Sequence, residues 1–337
     1  MNAETFNLEE ERLREEITKR GAKQVLLQLP EGLKAEGPRL AATVEGTGAL
    51  AVVSADPCYG ACDLATLDAE TLGVDLLVHY GHSKIMEEGG RIPTIYIEAR
   101  AKVSVEAAVR EAIPLLDDYG NIGLVTTVQH VHTLNEVRDL LHKAGKRVEV
   151  GEPSGWGKYA GQVIGCDYSA AESVSGGVEA FLFVGGGKFY ALGVALATGK
   201  LTVVADPYEQ RAYSLDGEVR RILKQRWASI YEAKEVKNFG VLIGLKPGQK
   251  RMGEALRIKE KLEKDGRKAS LLALREVTPE ALLEFPQIEA FVNTACPRVG
   301  LDDASRFSKP LLTYKETLVM LEEMSWEELC IKGWFKR

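Results

Sequence analysis

Five cysteines, Cys58, Cys62, Cys166, Cys296 and Cys330, are the residues of this 337-residue chain whose type most directly promises chemistry. Their odd number does not make a full disulfide framework. Thiolates that converge in a fold select zinc, copper(I) or iron–sulfur centres. Structural zinc usually takes four ligands, often in CxxC pairs, and Cys58 and Cys62 are spaced CxxxC instead. Cys62 and Cys166 share a context, each preceded by a small residue and followed by Asp, in GACD and GCD. Cys296 precedes Pro297 in TACPR. Three thiolates on a four-iron cluster would leave one iron open to a substrate, whereas a fully ligated cluster normally only carries electrons. The competing reading makes each cysteine a separate small buried apolar residue, and for Cys330, in WEELCIKGWF, that reading is preferred.

Other polar residues collect near the same places. His82 and His130 stand at expected strand ends and are candidates to line a cofactor pocket, with Gln129 beside His130 in the QHVH turn. His79 lies inside a strand pattern and reads as a hydrogen-bonded structural histidine. Gln249, after Gly248, is a candidate hydrogen-bond donor to a bound cofactor. Gly185 and Gly186 open a GGGK run whose backbone N–H groups could approach an anion, with a plain turn as the alternative. The run is not a P-loop, because GxxxxGK[ST] is missing. Asp302 and Asp303 could equally cap a helix.

These residues must be placed by something, and the chain offers a repeated construction. Short runs rich in Val, Ile and Leu recur at 23–30, 49–56, 76–82 and 94–100, at 121–130, 147–152, 180–187 and 201–208, and at 239–246, 268–275, 290–298 and 310–314. They are continuous rather than alternating, which suits strands of parallel sheets buried on both faces. Helical patterns such as HTLNEVRDLLHKAGK and GEALRIKEKLEKDGRK lie between them, each ending in Gly beside basic residues. The expected fold is α/β, with three similar small domains over 1–118, 119–236 and 237–337. Each is a four-stranded parallel sheet flanked by helices, and all three surround a shared central site. One large doubly wound sheet is the alternative. In open parallel sheets ligands bind beyond the carboxyl ends of the strands, and Cys58, Cys62, Cys166, Cys296, His82, His130 and Gln249 fall at or between such ends.

Composition sets outer bounds. The chain is 45% hydrophobic and 27% charged, ordinary for globular domains. No apolar run reaches the roughly 18 residues of a membrane span, and the acidic, helix-patterned N-terminus lacks the features of a secretory signal. A cytoplasmic protein with no membrane association is expected. The formal net charge of −6 argues against direct nucleic-acid binding as the main activity.

At the same residues the sequence resembles the archaeal diphthamide-synthesis family, the 2-(3-amino-3-carboxypropyl)histidine synthases. The phrases that carry the resemblance are LPEGLK, YGACD, LVHYGHS, TTVQHVH, GQVIGCDYS, RWA and TACPRVGLDD, in the family's order along most of the chain. The resemblance implies that Cys62, Cys166 and Cys296 hold one [4Fe–4S] cluster, and that Cys58 has no counterpart. Cys58 and Cys62 also fit the first two positions of the CxxxCxxC loop of ordinary radical S-adenosylmethionine enzymes, but Ala65 stands at the third. The family's chemistry would cleave S-adenosylmethionine to a 3-amino-3-carboxypropyl radical that adds to a histidine of translation elongation factor 2, releasing 5′-methylthioadenosine. An external electron donor and a homodimer are implied with it. The alternative is a quinolinate synthase-like lyase, also built from three domains around a [4Fe–4S] cluster.

Overall fold

The computed structural model describes residues 5–85 and 90–335. Strands β1 (Phe6–Asn7), β2 (Gln24–Gln28), β3 (Leu50–Val53), β4 (Leu76–Tyr80), β5 (Thr94–Ile97) and β6 (Arg100–Ala101) belong to the first third of the chain. The second third carries β7 (Asn121–Thr126), β8 (Arg147–Glu149), β9 (Ala180–Val184), β10 (Thr202–Asp206) and β11 (Arg211–Ser214). The last carries β12 (Asn238–Gly244), β13 (Lys268–Leu274), β14 (Ala290–Asn293) and β15 (Leu311–Thr313).

Three separate sheets result, with orders β3-β2-β4-β5, β11-β10-β9-β7-β8 and β13-β12-β14-β15. Within each, the unit's first strand is flanked by its second and third, and the fourth lies outside the third. The three units therefore share one 2-1-3-4 parallel topology. The central strands are buried along their lengths, β4 and β9 completely, as their unbroken apolar sequences require. The chain crosses over the first strand on its way from second to third. That leaves a crevice at the carboxyl ends of the first and third strands in every unit.

Three features depart from the expected pattern. The second sheet has a fifth strand, β11, antiparallel to β10, and β1 pairs with β6 in a two-residue antiparallel ribbon. The helix Glu106–Ala112, inside the stretch assigned from sequence to the first unit, packs in the core of the second sheet through Val105, Ala108, Val109 and Ala112. The helix that precedes each unit's first strand thus packs forward. The long helix Asp216–Lys234 does the same toward the third unit, burying Arg226.

That forward packing fuses two units. One continuous apolar core runs from Val125, Phe181 and Val204 of the second sheet through Ile222 and Ile230 to Val241, Val292 and Leu312 of the third. At its heart Arg226 Nε and Nη2 donate to the two carboxylate oxygens of Glu316, both at 2.7 Å, and neither side chain is exposed. The first sheet keeps its own cores, around Leu27, Leu40 and Val78 on one face and Leu26, Ala69 and Leu77 on the other. No helix among the described residues is long and apolar enough to cross a membrane.

Candidate metal centre and its cleft

The carboxyl ends of the three sheets face one cleft of about 410 Å³. Its walls include Cys62 and His82 from the first unit, Gln129 and Cys166 from the second, and Gln249 and Cys296 from the third.

Cys62 lies in the loop between β3 and β4, and two neighbours pin that loop. Gln28, at the end of β2, accepts from Ala65 N–H at 3.1 Å and donates to the Asp63 carbonyl at 2.6 Å. The turn Pro247–Gln249, directly after β12, grips it from the third unit. Gly248 N–H donates to the Cys62 carbonyl at 2.8 Å, and Gln249 Nε2 lies 3.5 Å from Cys62 Sγ. Glycine at 248 allows this close approach, since a Cβ there would come within 2.5 Å of Cys62 Cβ and force the loops apart. Lys246 closes the contact. Its ammonium meets Asp63 at 2.8 Å and Glu276 at 2.6 Å, and sits 4.1 Å from the centre of the Tyr59 ring.

Cys166 occupies a tight turn in which Ile164 and Asp167 exchange backbone hydrogen bonds. The Asp167 carboxylate accepts from the backbone N–H groups of Trp156 and of Ser169. Cys296 begins the short helix Pro297–Asp302. Asn293, the last residue of β14, donates from Nδ2 to the Cys296 carbonyl at 2.6 Å. Arg298 then ties this corner to the second unit. It donates to the Phe189 carbonyl at 2.6 Å, stacks 3.9 Å from the Phe189 ring centre and pairs with Asp302.

The three thiols are half-buried, and burial favours the protonated form of Cys62 and of Cys296. Burial, and then the neighbouring Cys62, push the Cys296 thiol up to about 11. Burial raises Cys62 too, against the opposing hydrogen bond from Gln249. A cationic centre reverses this penalty, because it stabilises thiolates where water does not reach. Among the described residues, the one trio of Cys, His, Asp or Glu ligand atoms within 4.8 Å of each other is Cys58, His79 and His82. The sulfurs of Cys62, Cys166 and Cys296 do not all meet that spacing. An all-thiol donor set at wider spacing fits a polynuclear iron–sulfur cluster.

Of the other residues picked out from sequence, Gln129 donates from Nε2 to the Gly81 carbonyl at 2.6 Å, stitching the second unit to the first. His130 turns away from the cleft: it is buried, with Nε2 2.9 Å from the Tyr208 hydroxyl. Gly185 and Gly186 pack against Phe183 and Tyr208 rather than lining the cleft, and the neighbouring Gly187 N–H is taken by Asp206. His79 is fully buried within β4. Tyr59, Lys246, Phe189 and Arg298 were not singled out from sequence. Lys246 did carry a signal, since it directly follows the third unit's first strand at the carboxyl end.

A family model described as diphthamide synthesis protein matches residues 29–331. The 2-(3-amino-3-carboxypropyl)histidine synthase of Pyrococcus horikoshii is 41% identical over 318 residues, covering 93% of this chain and 91% of that one. Subunit 1 of the human 2-(3-amino-3-carboxypropyl)histidine synthase is 31% identical, covering 91% of this chain and 70% of the relative. The crystal structure of Dph2 from Pyrococcus horikoshii with a 4Fe-4S cluster superposes with a TM-score of 0.88 at 37% identity, over 98% of this chain and 94% of that one.

Proposed function

The chain belongs to the diphthamide synthesis protein family, and on that premise we propose that it transfers the 3-amino-3-carboxypropyl group of S-adenosylmethionine to a histidine of translation elongation factor 2. The observation that carries the reading is the delivery of one thiol from each of three like-folded sheets to a single cleft. The relatives' printed names supply the transferase activity, and the family match favours it over the lyase alternative.

In this reading Cys62, Cys166 and Cys296 hold a [4Fe–4S] cluster. When bound, it supplies the electron and the open iron site for breaking the bond between sulfur and the methionine γ-carbon. The chain supplies position. The Pro247–Gln249 turn fixes the Cys62 loop, Asn293 fixes the Cys296 backbone, and the Arg298–Phe189 stack joins second and third units beside them. His82, Gln129 and Gln249 line the same cleft, which supports assigning them contacts to the cofactor. His82 does so as a neutral ring, because burial holds it down to about 4. An external reductant, a homodimer and a cytoplasmic setting complete the proposal.

The test is an anaerobic reaction with carboxyl-labelled S-adenosylmethionine, dithionite and the matching elongation factor. Label should enter the factor with release of 5′-methylthioadenosine, and should vanish when the target histidine is replaced. 5′-Deoxyadenosine as the main product, with an unlabelled factor, would refute it.

A further inference from the structure

Beside the cleft, and separate from the three thiols, one ligand atom each of Cys58, His79 and His82 lies within 4.8 Å of the other two. All three come from the first unit. Cys58 precedes the Cys62 turn, His79 is in β4, and His82 follows it.

The hydrogen bonds around His79 settle which atom it offers. Gln28 Oε1 accepts from Ala65 N–H at 3.1 Å, while its Nε2 donates to the Asp63 carbonyl at 2.6 Å. The amide cannot be flipped without setting N–H against N–H. Gln28 Oε1 also lies 2.8 Å from His79 Nδ1, so Nδ1 must carry the proton. The Nε2 lone pair of His79 is left facing His82 Nδ1 at 3.0 Å. A ligating imidazole almost always has its far N–H held in this way by a carbonyl or carboxylate. Burial keeps both rings neutral, with His79 well below its ordinary value. Burial also pushes the Cys58 thiol up to about 12, a cost that a bound cation removes.

We infer that Cys58, His79 and His82 form a second metal site, for a single divalent ion of the zinc class, with Gln28 orienting His79. Zinc sites with three protein ligands and an open fourth position take such nitrogen and sulfur donors. His82 also lines the cleft, so the site borders it. On binding, the Cys58 S–H bond breaks, a sulfur–metal bond forms and one proton leaves to solvent. Both imidazoles bind as neutral rings; if His82 ligates through Nδ1, its proton moves to Nε2. The site does not depend on what the other three thiols hold.

Cobalt(II) is the probe, because thiolate ligation gives it a charge-transfer band. The protein is the full chain with Cys62, Cys166 and Cys296 all changed to Ala, checked for folding by circular dichroism. One equivalent of Co(II) should bind with a thiolate band and release of about one proton. Adding Cys58→Ala should abolish the band, and His82→Ala should weaken binding at least 10-fold. Should the triple variant fail to fold, the cluster-free wild-type chain is compared with Cys58→Ala. The wild type should then bind one more thiolate-ligated equivalent. Absence of the band, its persistence without Cys58, or equal stoichiometry in that comparison would overturn the site.

Discussion

Replacing Gly248 by Ala tests whether the third unit positions the Cys62 loop. An added Cβ would stand 2.5 Å from Cys62 Cβ, 2.6 Å from its Cα and 3.1 Å from its carbonyl oxygen. Carbon atoms in contact sit about 3.5–4.0 Å apart, so the two loops must separate by roughly 1 Å. Two of the three obstructing atoms are backbone, and no side-chain rotation relieves them. The separation strains the 2.8 Å hydrogen bond from Gly248 N–H to the Cys62 carbonyl, worth about 0.5–1.5 kcal/mol. The overpacking adds about 1–3 kcal/mol. The sum, roughly 1.5–4.5 kcal/mol, is below the stability of a typical domain, so the variant should fold. A site generally needs its groups held within about 0.5 Å, and a shift of 1 Å exceeds that. Iron and sulfide content after anaerobic reconstitution should fall by more than half. Gly253→Ala is the control, since its nearest neighbour would be Arg257 Nη1 at 3.7 Å; it should load normally. Wild-type iron content in Gly248→Ala, with an unchanged denaturation curve, would refute the reasoning.

Serine at Cys62, Cys166 or Cys296 should each reduce or abolish the visible absorbance of the reconstituted cluster, while serine at Cys58 or Cys330 should preserve it; full retention in Cys166→Ser would rule out the shared centre. Glu316→Gln leaves the buried Arg226 guanidinium without its counter-charge and should cost about 3–5 kcal/mol in chemical denaturation. His130 is held down to about 4 by burial, from an ordinary 6.5. Its folded value is therefore the lower one. Stability is complete above about 6.5 and is lost as pH falls toward about 4, reaching roughly 2 kcal/mol near pH 5. Denaturation at stepped pH should show this acid limb, to which the buried His79 and His82 add, and His130→Gln should make it shallower by about that amount without removing it. Light scattering at micromolar concentration should report a dimer.

The sheets were legible because parallel strands buried on both faces leave unbroken Val, Ile and Leu runs, and twelve such runs repeat in order. β11 was not, since RAYS is short, mixed and half-buried. The fused core escaped as well: Ile222 and Ile230 show an apolar helix face but not which sheet it meets. The cysteine loops could be placed from topology alone. His130 shows the limit of that method, because a strand-end position does not reveal whether a ring turns outward or toward Tyr208. Lys246 bridges Glu276 of its own unit to Asp63, 183 residues away in the chain, and to the Tyr59 ring, and no local pattern encodes such a meeting.

The fused core divides the three thiols unequally. Cys166 and Cys296 ride on one continuous body, while Cys62 arrives on a neighbour held at this edge largely by polar stitches from Gln129, Lys246 and Gly248. Local opening is cheapest where buried apolar contact is least. The molecule is therefore built like a clasp, with a two-toothed jaw on the larger piece and one tooth on the smaller. A cluster held by all three thiols would fasten the pieces together, and its loss would unfasten the first unit before anything else gives way. Amide exchange in β2 and β4 would follow iron occupancy, while that of β9 and β12 would not.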